Sequence, residues 1–161
     1  MSKLQMDSTG AERELASFIA KFTPEIAKRT EVILAKMRAR FPHVLELVYD
    51  NYNALAIGFA PSERTSEAIF SIAVYPRWVS LFFLQAKGLS DPKKLLKGSG
   101  SVAKHIVLET PEMLDDPAVL RLMEEAAATA RVPFAADGEH KLVIKSVSVK
   151  QRPRRPIGEA K

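Results

Sequence analysis

The chain reads as an α+β domain: an antiparallel sheet of about five to six strands, with N-terminal and C-terminal helices packed on one face. Three observations predict this. Apolar residues recur at helical spacing from Leu15 to Phe41. From Leu45 the apolar period shortens to two, as in half-buried strands, and a helical pattern returns after Asp116-Pro117. Helices first, consecutive strands next and a helix after them place the helices together on one face of an antiparallel sheet.

Each element has its own local reasons. Thr9 and Glu12 have capping-box spacing, so a first helix is expected from there, with Leu15, Phe18, Ile19 and Phe22 on its apolar face. Thr23 and Pro24 restart the chain as N-cap and first helical residue. Ile26, Ile33, Leu34, Met37 and Phe41 line that second helix, and Pro42 ends it. Leu45, Leu47 and Tyr49 then alternate with Glu46, Val48 and Asp50, which predicts a half-buried strand. Asp50-Asn51-Tyr52-Asn53 is turn chemistry. Leu55, Ile57 and Phe59 form the core side of the next strand, and Phe70, Ile72 and Val74 that of a third. Between them Pro61 to Glu67 is a polar loop, and Pro76-Arg77 is a turn. Val79 to Gln85, apolar on both faces, is a fourth strand and Ala103 to Glu109 a fifth, joined by a loop in which one helical turn is expected at Pro92 to Leu96. Asp116 and Pro117 open a helix that ends near Arg131, with Val119, Leu120, Leu122 and Met123 available for packing. Leu142, Ile144 and the valines after them suggest a last strand.

A length of 161 residues fits one domain, assigned to residues 1–150, with residues 151–161 as a flexible basic tail rich in Pro and Arg. The apolar share of 47% is typical of a globular core. Cysteine is absent, which removes disulfides, thiol nucleophiles, thiolate zinc sites and iron–sulfur clusters. Met1 to Glu14 lacks the apolar run of a secretory signal, and the longest apolar stretch, Trp78 to Leu84, is far short of a membrane span. A cytoplasmic protein with no membrane partner is expected. The net charge of +5 is polarised. Cations gather at Lys93, Lys94 and Lys97 and again from Lys141 to Arg155; anions gather from Glu109 to Asp116 and at Glu124 and Glu125. Such polarity steers anions or an oppositely charged partner.

The strand faces carry a second signal. If Leu55, Ile57 and Phe59 face the helices, then Ala54, Ala56, Gly58 and Ala60 face away, as do Ser71 and Ala73, and then His105 and Val107. A solvated face would carry Thr, Lys or Glu. A floor of small residues admits close approach by the C-terminal segment, by a second subunit, or by a ligand in a groove walled by Tyr52, Tyr75 or Trp78.

The best candidate site is Lys97-Gly98-Ser99-Gly100-Ser101, followed by Lys104 and His105. Two glycines free backbone N–H groups to converge, serines add donors, and such nests bind phosphate or carboxylate. The loop lacks the spacing of a P-loop or a dinucleotide fingerprint, and a tight turn needing positive φ would explain it equally. His43, His105 and His140 show no metal-ligand spacing. Asp115-Asp116-Pro117 is a capping signal before it is a carboxylate pair. No nucleophile elbow or other catalytic constellation is present, and the Arg-rich tail lacks the aromatic-stacking or helix-turn-helix signatures that would make nucleic acid an expected partner.

Four segments carry a family resemblance: Tyr49-Asp50-Asn51-Tyr52-Asn53-Ala54-Leu55, Val79-Ser80-Leu81-Phe82-Phe83-Leu84, Leu95-Leu96-Lys97-Gly98-Ser99-Gly100 and Asp115-Asp116-Pro117-Ala118-Val119. In order and spacing they are similar to the YdhG-like domain family of unknown function, over roughly residues 15 to 132. The fold of that family has been likened to frataxin, which implies an iron-chaperone role. Frataxin-type delivery uses an acidic ridge on the first helix and strand. Here Glu12, Glu14, Glu25 and Glu31 are interleaved with Arg13, Lys21, Lys28, Arg29, Lys36, Arg38 and Arg40. Hard cations need clustered oxygens without competing positive charge.

The expected function is therefore non-enzymatic binding of a small anionic ligand, without a cofactor, at Lys97, Gly98, Ser99, Gly100, Ser101, Lys104, His105 and Trp78. Self-association through the sheet face is a further possibility for that surface. The alternative is an iron-binding chaperone using Glu109, Glu112, Asp115 and Asp116.

Overall fold

The computed structural model describes residues 3–156, with side chains from residue 10 onward. Its helices are α1 (Lys3–Ile19), α2 (Pro24–Arg40) and α3 (Pro117–Thr129). Its strands are β1 (Leu45–Asp50), β2 (Leu55–Ala60), β3 (Phe70–Val74), β4 (Val79–Phe83), β5 (Lys104–Val107) and β6 (Lys141–Val147). They form one six-stranded sheet in the order β5-β4-β3-β2-β1-β6. The α+β class is as expected, but the sheet is mixed: β6 pairs with β1 in parallel, while every other pair is antiparallel. Parallel pairing requires a long crossover. The segment from β5 through α3 supplies it and returns the chain to the far edge. Among the described residues no helix is long and apolar enough to cross a membrane.

Local chemistry explains the ends. The Thr23 hydroxyl accepts from the Ile26 N–H at 3.3 Å with Pro24 at the first helical position, and the Asp116 carboxylate accepts from the Ala118 N–H at 2.8 Å with Pro117 behind it. α1 begins at Lys3, ahead of Thr9, so the expected capping box lies inside the helix. Pro92 to Leu96 is not helical; the Asp91 carboxylate instead accepts from the Leu95 and Leu96 N–H groups, each at 2.9 Å.

The core lies between the helices and one sheet face. Leu15, Phe22, Ile33 and Met37 meet Ile57, Phe59, Phe70, Ile72, Leu81, Phe83 and Ile106. This is the predicted inward set for β2, β3 and β5; β4, apolar on both faces in sequence, turns Val79, Leu81 and Phe83 inward. β1 is inverted relative to its sequence pattern. Val48 joins the core and the registry puts Glu46 and Asp50 on its side, whereas Leu45, Leu47 and Tyr49 lie on the opposite face. Both carboxylates are fully buried.

Burial of an unpaired carboxylate is prohibitive, so Glu46 dictates its surroundings. The Arg38 guanidinium forks onto it, with Nε and Nη2 each 2.7 Å from a carboxylate oxygen, and His140 Nε2 lies 2.9 Å from Oε2. Arg38 Nη2 also reaches Glu12 at 3.1 Å. The network thus ties α1, α2, β1 and the segment before β6. At Gly138 a Cβ would sit 2.8 Å from the His43 carbonyl, so only glycine lets that segment come close enough to deliver His140.

Burial opposes ionisation of Glu46, but hydrogen bonds from His140 and Arg38 outweigh it and hold the carboxyl below its ordinary range. A carboxyl lowered by folding contributes stability fully above its unfolded pKa. That contribution is lost as pH falls through the folded value. Glu46→Gln should therefore flatten the acid side of the stability profile below about pH 4. Urea titrations at a series of pH values check this; an unchanged acid slope would show that the network contributes nothing there.

Candidate functional site

The outer sheet face is where the small-residue floor was expected, and it divides into two halves. Over β1 and β2 it is covered by the β2–β3 connection, residues 61–69. Ala68 packs over Gly58 and joins Leu47 and Ala60, with Leu45, Tyr49, Leu84 and Val143 around them. Tyr49 and Thr65 share a hydroxyl hydrogen bond, the Glu63 carboxylate accepts from Lys141 at 3.0 Å, and the Ala68 carbonyl accepts from Gln85 at 3.1 Å. This cover explains why β1 can turn its leucines away from the helices.

The other half is open. Ala54, Ala56, Ser71, Ala73, Phe82 and Leu84 floor a groove of about 540 Å³, with Tyr52, Tyr75 and Ser148 at its rim. Asn53 and Tyr75 also line an adjoining pocket of about 620 Å³ at the strand ends. One wall of the pocket is the β3–β4 turn. Tyr75 N–H donates to the Trp78 carbonyl at 2.9 Å, closing a turn with Pro76 and Arg77 at its tip. The registry puts Tyr75 and Trp78 on the outer face, where their rings stack at 4.7 Å and 22°. The opposite wall is Arg152, Pro153, Arg155 and Pro156.

That second wall corrects the expectation of a mobile tail. From Ser148 to Pro156 the chain forms a strap across the sheet end; residues 157–161 lie outside the described residues. Because β6 runs parallel to β1, it ends beside Asp50 and delivers the strap there. Ser148 N–H donates to the Asp50 carbonyl at 2.8 Å and Arg152 N–H to the Tyr52 carbonyl at 2.9 Å. The Arg154 side chain is only 4% exposed and its Nη2 donates to Asp50 Oδ1 at 2.8 Å, while Lys21 Nζ donates to Oδ2 at 2.8 Å. Arg154 also stacks against the Phe22 ring at 5.7 Å. Burial opposes ionisation of Asp50; Lys21, Gln151 and Arg154 outweigh it and hold the carboxyl below its ordinary range. The pinned strap sets the arginines beside the aromatic pair. Arg152 lies 5.8 Å from the Tyr52 ring centre, and Arg155 Nε donates to the Lys21 carbonyl at 3.2 Å.

The glycine-serine loop lies elsewhere. Lys97 and His105 exchange backbone hydrogen bonds at 2.8 and 2.9 Å, which sets the loop beside the β5 edge, at the end of β4 remote from Trp78. Gly98 has φ +115°, so a glycine-only turn accounts for it, and its α-carbon faces the His105 ring. Ser99, Gly100 and Ser101 are exposed. His105 packs on Phe82 at 5.1 Å on the outer face, but the registry puts Lys104 on the opposite side, and its ammonium donates to the Gly98 carbonyl at 3.0 Å. Lys97, Gly98, Lys104 and His105 are thus brought together, without Trp78 and without Lys104 on the outer face.

Nor are the acidic residues brought together as a metal site; among the described residues no group of His, Asp and Glu is placed to hold a metal ion. The Lys36 ammonium, 2.6 Å away, holds the Asp115 carboxyl below its ordinary range, with Arg40 beside it, and Asp116 is the α3 cap. Trp78 and Tyr75 in the pocket, and Tyr52 at the rim of the groove, were legible as walls. Arg152 and Arg155 were assigned to a tail because their anchor, Arg154 to Asp50, joins segments distant in sequence.

Comparison with protein-family models, curated proteins and solved structures returns no match.

Removing Asp50 would leave Arg154 as a buried, uncompensated charge. Asp50→Ala should cost about 3–5 kcal/mol in urea unfolding, and adding Arg154→Met should recover part of that loss. Strictly additive costs would show that the pair is not coupled.

Proposed function

We propose that the chain is a non-enzymatic protein of the YdhG-like type that binds a small anionic ligand in the pocket between the β3–β4 turn and the strap. One observation carries this reading: Arg152 and Arg155 both line a pocket of about 620 Å³, and among the described residues that line it none is acidic. Guanidinium groups offer planar, paired donors suited to phosphate and carboxylate. The strap's backbone and Arg154 are already anchored, so little ordering cost falls on binding. The reading moves the site from the glycine-serine loop, whose lysine ammonium at Lys104 is engaged by Gly98, to the far end of the sheet. The YdhG-like assignment itself rests on the four sequence segments. We place the protein in the cytoplasm, where a cysteine-free chain needs no oxidising environment to fold.

Calorimetric titration with inorganic pyrophosphate tests the location. Arg152→Ala combined with Arg155→Ala should weaken binding by roughly tenfold or more, whereas Lys97→Ala combined with Lys104→Ala should leave it unchanged. The reverse pattern would return the site to the glycine-serine loop. Circular dichroism of both variants separates lost binding from lost fold.

A further inference from the structure

The pocket is not built for a bare anion. A bare anion needs donors; it has no use for a stacked aromatic pair and three prolines. Trp78 lines the pocket and remains 41% exposed although Tyr75 stacks on it at 4.7 Å. Tyr75 supports the indole in a fixed orientation, and the short hairpin turn at Pro76-Arg77 limits its movement. Pro153 and Pro156 add rigid apolar surface on the strap side. The Asn53 side chain, at the junction with the sheet-face groove, offers both a donor and an acceptor in one plane.

These features combine a flat apolar platform, an amide and guanidinium groups in one cavity of small-molecule size. Aromatic platforms bind the π-faces of nucleobases, guanidinium groups take phosphate, and an amide matches the donor–acceptor edge of a base. The groove beyond Asn53, floored by Ala56, Ser71 and Ala73, gives a ring substituent room to lie close to the sheet. We infer that the ligand is a free nucleoside phosphate, its base on Trp78 and its phosphate on the strap arginines. This rests on the anion-binding reading above and specifies the part of the ligand which that reading leaves open.

The molecule carries its own probe, because Trp78 is the only tryptophan in the chain. Adenosine monophosphate should quench its fluorescence saturably, and calorimetry should show it binding about tenfold more tightly than ribose phosphate. Trp78→Ala should erase most of that advantage and leave ribose phosphate binding within about twofold, whereas Trp78→Phe should restore most of it. Equal affinity for the two ligands in the wild type would overturn the nucleotide assignment while leaving anion binding intact. Binding of neither would overturn the anion-binding reading, and the inference with it. A short single-stranded oligonucleotide that binds more tightly than the mononucleotide would overturn the assignment to a free nucleotide.

Discussion

Asp50 is the residue on which the geometry of the proposed site depends. It ends β1 on the helix-facing side, fully buried, and a carboxylate there is tolerable only with cations in contact. Lys21 reaches it from the link between α1 and α2, and Arg154 reaches it from the strap. Three distant parts of the chain therefore converge on one side chain. The same convergence fixes where Arg152 and Arg155 stand, because they flank Arg154. Buried ion pairs in general are often no more stabilising than well-packed apolar residues of the same volume. What the charged pair adds is a demand for one partner in one place, and the pocket wall follows from that demand.

Glu46 applies the same logic at the other end of β1. Its fork to Arg38 and its contact with His140 bind both N-terminal helices and the pre-β6 segment to the strand. Together the two carboxylates decide which face of β1 looks inward. The leucines then point outward, and the β2–β3 connection covers them. That cover stops short of Ala54, Ala56, Ser71 and Ala73, which is why an open groove survives beside an otherwise packed face. Stability and the proposed site thus share a cause in the inversion of one strand.

Where local chemistry decides structure, the residues could be read directly. Thr23-Pro24 and Asp116-Pro117 mark their helix starts, and the inward faces of β2 and β3 follow from simple alternation. β1 misleads because alternation marks leucine as inward and carboxylate as outward. The partners that reverse this for Asp50 lie 29 and 104 residues away. The parallel pairing of β6 is hidden for a related reason: periodicity gives the face of a strand but not the direction of its neighbour. The strap has a composition rich in Pro and Arg that ordinarily signals a solvated end, and only Arg154's non-local contact reveals otherwise. The glycine-serine loop was legible as a turn, and its positive φ at Gly98 fits that reading. As a site, it parted from Trp78 because the length of β4 lies between them.

The central claim is that the Asp50–Arg154 pair holds the strap against the sheet and so builds the pocket wall. Amide hydrogen exchange at Arg152, whose N–H donates to the Tyr52 carbonyl, measures this directly. The wild type should protect that amide, and Arg154→Met should speed its exchange by about tenfold or more while β2 and β3 keep their protection. Fast exchange at Arg152 in the wild type, or protection unchanged by the substitution, would contradict the account.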